Sequence, residues 1–290
     1  MRIRIAARGS KLSLKQVEIV KNFLISQGYE TEFIEIRTKA DLFLNKPLTE
    51  IGKGVFEKEV NDAVLDGRAD IAVHSMKDLS SELPNGLEIL ATPKRETPID
   101  VLVSEFELRK LPGGSRIGTG SIRRANFLKV LRPDIIVENI RGNVDTRLRK
   151  YTQGEYDGII LAEAGLRRLN IDIKRHPLDL EEFTPEANQG IIAVVGKPNL
   201  RDILIPINDR ATMDEAIAEK ETVGIIGGGC HTPMGVVFRK EGDLLTGIAS
   251  YSNGVKRVTV NLSTRDPPTL AGQKLGKMLL KEMKSEGIIS

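Results

Sequence analysis

The chain has 290 residues, 40% hydrophobic and 29% charged, which suits two or three packed domains of roughly 100 residues and excludes a disordered or fibrous polymer. A formal charge of +3 makes no global case for nucleic acid, and one cysteine beside three scattered histidines rules out an internal disulfide and offers no metal-ligand spacing. No apolar run approaches the roughly 20 residues of a membrane-spanning helix, and the N-terminus alternates like a strand rather than a secretory leader, so a cytoplasmic protein is expected.

In chain order, Ile3 to Ala7 reads as a strand. A helix follows from near Ser13, with Leu14, Val17, Val20 and Leu24 at helical spacing and a stop at Gly28, a residue suited to the left-handed cap. Thr31 to Arg37 is the next strand, and the polar stretch Thr38 to Gly52 reads as a loop. Phe56, Val60 and Val64 predict a helix over Val55 to Asp66, leading into the apolar strand Asp70 to His74. Ser75, Met76, Lys77 and Asp78 come directly after it, and the carboxyl ends of strands in α/β sheets form ligand crevices.

A second α/β unit has strands near Val101 to Ser104, Arg116 to Gly118, Ile135 to Glu138 and Gly158 to Leu161. Between Ser115 and Asn170, nine arginines and two lysines stand against six acids, a local excess larger than the net charge of the whole chain. Arginine is the planar fork that grips carboxylate or phosphate through two parallel hydrogen bonds, so an anionic ligand is implied. Thr119-Gly120-Ser121 directly precedes a helix starting near Ile122, whose exposed N–H groups suit an anion.

Gly190 to Val195 is another apolar strand, and a polar linker around Asn208 to Arg210 marks a boundary. Beyond it lie a helix over Ala211 to Val223, a Gly-rich loop carrying Cys230, three antiparallel strands turning near Gly242 and Asn253-Gly254, and a last amphipathic helix from Thr269 to Met283. No internal repeat is visible.

At Asp70-Ile-Ala-Val-His-Ser-Met-Lys-Asp78 the sequence resembles the signature of the hydroxymethylbilane synthase (porphobilinogen deaminase) family. Matching pieces run along most of the chain: Ala7 to Ser10, Gly52 to Glu59, Thr119 to Arg124, Arg132 to Leu148, Ala162 to Leu169, Asn188-Gln189-Gly190, and Gly228-Gly229-Cys230 with Pro233. Two departures stand out. Gly120 occupies the place of a usual second serine, and Ala187-Asn188 replaces a more typical Val-Gly.

The resemblance implies an α/β protein of three domains, the first two similar to type II periplasmic binding proteins. The third is a small α+β domain with a three-stranded antiparallel sheet. Domain 1 would comprise residues 1–93 and 187–207, domain 2 residues 94–186, and domain 3 residues 208–290. It further implies a monomeric transferase of tetrapyrrole biosynthesis. The enzyme would join four porphobilinogen molecules into a linear hydroxymethylbilane on a covalent dipyrromethane primer, release ammonia, and pass its product to uroporphyrinogen III synthase. No nucleic acid, membrane or metal is implied.

By the same resemblance Cys230 carries the dipyrromethane through a thioether, and Asp78 is the catalytic carboxylate. Ser75, Lys77, Lys53, Thr119, Ser121, Arg123, Arg124, Arg141 and Arg147 bind the cofactor, and Arg8, Ser10, Arg141 and Arg168 bind substrate. The chemistry is coherent: a thiolate is a good nucleophile for an electron-poor methylene carbon, and a carboxylate stabilises positive charge developing on a pyrrole nitrogen. Taken alone, Cys230 reads equally as a small buried residue and Asp78 as a helix cap. No binding role is carried to Arg132, Arg149 or Arg167, which read as solvated surface charges. His74 receives no proton-transfer role. Gly52-Lys53-Gly54 lacks the spacing of a phosphate loop. The rival reading is a small-anion binding module of periplasmic-binding-protein type, which would need neither Cys230 nor Asp78.

Overall fold

A computed structural model describes residues 1–38, 57–80, 82–227 and 232–289. Lys53, Cys230, Val55, Phe56 and the expected loop beyond Thr38 lie outside the described residues. The chain divides into two compact units, Met1–Glu96 with Gly190–Met213, and Thr97–Gln189 with Asp214–Ser290.

The first unit begins with β1 (Arg2–Arg8), α1 (Lys11–Ser26) and β2 (Glu30–Ile36). Ser10 caps α1 by accepting the Ser13 N–H at 3.3 Å, and the helix buries Val17, Val20 and Leu24 against Ile3, Ile5 and Ala7 of β1. Its end is set by Gly28 at φ 82°, the left-handed conformation that glycine enters without steric cost. The chain continues through α2 (Lys58–Leu65), β3 (Ile71–Ser75) and β4 (Glu88–Ala91). β1 pairs in parallel with β2 and with β3, so the carboxyl ends of β1 and β3 share one edge of the sheet.

The second unit holds β5 (Asp100–Ser104), β6 (Arg116–Gly118), α3 (Ile122–Leu131), β7 (Ile136–Glu138), α4 (Val144–Thr152), β8 (Gly158–Ala162), α5 (Glu163–Arg168) and β9 (Arg175–Pro177). The strand order is β7-β6-β8-β5-β9, with β6 parallel to both β7 and β8 and β5 antiparallel to β8. The chain then returns as β10 (Ile192–Gly196), which inserts antiparallel between β3 and β4 and completes the first sheet as β2-β1-β3-β10-β4. Each five-stranded sheet thus carries one antiparallel strand in its fourth place. Such doubling has no counterpart in the sequence, because pairing order leaves no mark on residue periodicity.

After α6 (Arg201–Leu204) and α7 (Arg210–Ile226), a separate antiparallel sheet forms from β11 (Met234–Glu241), β12 (Leu244–Ser252) and β13 (Arg257–Thr264), closed by α8 (Pro268–Ser285). Phe238, Leu245, Leu275 and Leu279 belong to its own core. Helix α8 approaches α7 at Gly272, where an added Cβ would lie 2.2 Å from the Ala218 carbonyl oxygen. The architecture is therefore the expected mixed α/β one with a three-stranded antiparallel sheet, and the predicted elements match the observed ones to within a few residues. Strand β4 and the short helices carried no periodicity long enough to read.

Asn188, where the family pattern has glycine, adopts φ 62°. Its N–H donates to Glu219, while its side-chain oxygen is buried without a partner among the described residues. Asn188→Gly should therefore raise the unfolding free energy by about 1 kcal/mol, and Asn188→Val should lower it by about 2, in denaturant melts.

Candidate functional site

In the first unit, the carboxyl ends of β1 and β3 carry five of the predicted residues: Arg8, Ser10, Ser75, Lys77 and Asp78. Continuing the β1–β3 register sets Arg8 level with His74. Directly after β3 the backbone makes a single 3-10 turn over Met76–Asp78, held by the Met76 N–H on the Ile191 carbonyl at 2.9 Å. Met76 is buried and Asp78 exposed, so the turn anchors its first residue and presents its last. The Ser75 hydroxyl accepts from Gln16 Nε2 at 2.7 Å, which leaves its own O–H to donate.

His74 is buried, with Nε2 2.9 Å from Asn61 Oδ1. Burial first, and the positive charge of Arg8 second, push its imidazole down to about 4, so it stays neutral at physiological pH. That agrees with leaving it out of proton transfer.

In the second unit, Thr119 and Ser121 follow β6 and Arg141 follows β7, again at the carboxyl edge. Ser121 caps α3 by accepting the Arg124 N–H at 3.4 Å, and Thr119 Oγ1 accepts from the Ser121 N–H at 3.2 Å. Both hydroxyls give up a lone pair and keep a donor, which suits a carboxylate. Asn143 caps α4 through the Thr146 N–H at 3.0 Å, and Arg147 Nε donates to the Gly142 carbonyl at 2.8 Å. The Arg147 guanidinium has no carboxylate partner among the described residues. Burial, followed by the like charges of Arg124 and Arg141, pushes it down to about 10. A half-buried Arg147 beside the like charges of Arg124 and Arg141 is an arrangement that a ligand bringing negative charge would relieve. Arg168 sits apart, as the last residue of α5, about 9 Å of helix beyond β8.

Gly120 has its own role here: an added Cβ would lie 2.8 Å from the Ile140 carbonyl oxygen. The loop thus runs closer to the Arg141 turn than a serine would permit.

Arg123 and Arg124, expected to bind the cofactor, each also hold a buried partner of the chain itself. They are 2% and 6% exposed, and both clamp Asp100, which is fully buried, at 2.7 and 2.6 Å. Arg123 also donates to the Thr184 carbonyl at 2.7 Å and lies 5.9 Å from the ring centres of Phe127 and Phe183. Arg124 also donates to the Ile160 carbonyl at 3.1 Å, and Gln189 Nε2 reaches Asp100 at 2.8 Å. The two guanidinium groups hold the Asp100 carboxyl far below the ordinary carboxylate range against the cost of its burial. Asp100 and Gln189 are the residues that sequence reasoning missed. The available signal was two adjacent arginines at a helix start with no nearby acid in sequence.

One expectation that changes concerns Arg132. It is no solvated surface charge: its side chain is 15% exposed and bridges Asp134 at 2.6 Å and the Leu111 carbonyl at 2.8 Å. Arg167 is half exposed on Glu163 at 2.9 Å, and Arg149 is exposed, as expected.

Residues 3–204 match the family model described as "Porphobilinogen deaminase, dipyromethane cofactor binding domain". The chain is 74% identical over the whole of both chains to a protein of Metallosphaera sedula named probable porphobilinogen deaminase. It is 55% identical, again over both whole chains, to one of the same name from Saccharolobus islandicus. Among solved structures it is similar to the ligand-binding component of an ABC-type import system from Staphylococcus aureus, at 13% identity and TM-score 0.40 over 78% of this chain and 74% of that one.

Two outcomes test this geometry. Asp100→Asn leaves two buried cations without their counter-charge and should cost about 3–5 kcal/mol in equilibrium unfolding. His74 is held below its unfolded value, so the unfolded chain takes up the proton first as pH falls. Stability from this residue is whole above about pH 6.5 and is lost toward pH 4, at about 1.4 kcal/mol per pH unit, in melts of the wild type. A His74→Gln variant should show a flatter slope across that window.

Proposed function

Because the chain belongs to the porphobilinogen deaminase family, we propose that Asp78 is its catalytic carboxylate and Cys230 the attachment point of its dipyrromethane. The protein is a hydroxymethylbilane synthase, a transferase that joins porphobilinogen units into a linear hydroxymethylbilane with release of ammonia. The finer parts of the reading are also proposals: a cytoplasmic monomer of three domains, bounded as the resemblance implies, that passes its product to uroporphyrinogen III synthase. Among the described residues no helix is long and apolar enough to cross a membrane.

The observation that supports the site assignment most directly is Arg147, half-buried among like charges. Dipyrromethane and porphobilinogen carry acetate and propionate groups, and the donor set of the second unit is of the kind that binds them. Thr119, Ser121, Arg141 and Arg147 would hold those carboxylates, with Arg124 adding charge from behind. Arg123 acts at one remove, by fixing α3 on Asp100. The dipyrromethane supplies the pyrrole carbon at which the chain grows.

In the substrate the aminomethyl C–N bond breaks, a proton goes to the nitrogen, and ammonia leaves a methylene-pyrrole cation. Asp78, exposed at the end of its turn, can give that proton and then, as carboxylate, face the positive ring nitrogen. The new C–C bond forms on the methylene carbon, and the proton lost from the attacking ring carbon restores the acid. Lys77 and Arg8 flank Asp78 as carboxylate binders.

Intact mass and turnover test the reading together. Wild type should be heavier than the bare chain by two linked pyrroles, and Cys230→Ala should have the bare mass and form no hydroxymethylbilane. Asp78→Asn should keep the added mass and lose about 10²–10⁴-fold in turnover. A wild type at bare-chain mass after incubation with porphobilinogen, or a loaded Asp78→Asn enzyme at normal rate, refutes the corresponding assignment.

A further inference from the structure

Helix α2 holds the segment that carries Asp78 at both ends. Asn61 Oδ1 meets His74 Nε2 at 2.9 Å, on the strand side. One helical turn earlier, Glu57 takes the Ser80 N–H on both carboxylate oxygens, at 2.9 and 3.0 Å, on the far side. The two residues are four apart and so lie on one helix face, with Glu57 at the N-cap position. Its side chain makes no capping bond to its own helix. The carboxylate is instead spent on the turn. It is 6% exposed, an expensive place for a charge, and it is held there by Ser80, two residues beyond Asp78.

We propose that Glu57 is a positioning residue for Asp78: its carboxylate fixes the turn that presents Asp78, and its negative charge favours the protonated, acid form of Asp78. The inference rests on the assignment of Asp78 as the proton-transferring group. Burial first, and the charge of Asp78 as the least cause, push the Glu57 carboxyl up, against its hydrogen bonds from Ser80. Among the described residues, the charges nearby in the chain or the sheet are Lys77 on the turn, Glu59 on α2, Lys58 paired with Asp62 at 2.7 Å, and Arg8 level with His74. An aspartate that must donate a proton near neutral pH gains from a neighbouring anion, because an unassisted carboxyl is already ionised there.

Glu57→Gln keeps an acceptor for Ser80 and removes the charge, whereas Glu57→Ala removes both. In the loaded full-length enzyme, carboxyl-labelled aspartate gives a carbon NMR titration in which Asp78→Asn identifies the Asp78 signal. Glu57→Gln should lower the midpoint of that signal by at least about half a pH unit and move the acid limb of the kcat profile the same way. Ser80 amide exchange should stay near wild type in Glu57→Gln and quicken by about tenfold or more in Glu57→Ala. An unmoved Asp78 midpoint in Glu57→Gln overturns the electrostatic role, and unchanged Ser80 protection in Glu57→Ala overturns the positioning role. If Glu57→Ala does not fold, the Glu57→Gln midpoint still decides the charge. Normal turnover of Asp78→Asn would instead remove Asp78 from catalysis, a result separate from both measurements on Glu57.

Discussion

A fully buried aspartate cannot stay ionised unless its surroundings return what water supplied, and in the second unit that requirement organises everything around Asp100. Its two oxygens are shared by Arg123, Arg124 and Gln189. These groups come from the start of β5, the first turn of α3 and the end of the segment that follows β9. One carboxylate therefore ties the antiparallel strand of the sheet to the helix whose N-terminus carries Thr119 and Ser121. Arg123 then extends the cluster to Phe127 and Phe183, which meet edge to face at 5.7 Å. Thr119 and Ser121 thus stand at the start of a helix whose first turn is pinned to the sheet by a buried ion-pair cluster.

With Arg123 held by Asp100, a cation of the second unit that has no carboxylate partner among the described residues is Arg147. Burial and like charge both disfavour its charged form. Such an arrangement is costly by itself, and the proposed binding of carboxylate groups would relieve that cost. The serines and threonine use a complementary economy. Ser121 completes a helix end with an oxygen lone pair and retains a proton for the ligand, so one atom serves the fold and the site at once.

The first unit solves a different problem, that of holding one exposed aspartate in place. A three-residue turn has little rigidity of its own, and its orientation comes from what grips it: the Ile191 carbonyl on Met76, Asn61 on His74, and Glu57 on Ser80. Neutral His74 fits this picture as a strut, because a charged imidazole between Arg8 and the sheet core would be expelled toward solvent.

Much of this molecule was written along the chain. Apolar spacing located α1, α2, α7 and α8, glycine and serine marked their ends, and the His74 to Asp78 run and Gly228 to Cys230 carried the family resemblance, since all of these depend on neighbours in sequence. Pairing order did not, so β10 inserting between β3 and β4, and the shared design of the two five-stranded sheets, came only with the tertiary structure. The same division runs through the site. Residue type alone proposed that arginines bind carboxylates, but whether an arginine faces a ligand or a buried acid depends on partners such as Asp100, 23 residues from Arg123 in sequence. Arg132 and Glu57 were misread or passed over for the same reason: a charge shows its type in the sequence, while its burial and its partner are properties of the folded chain.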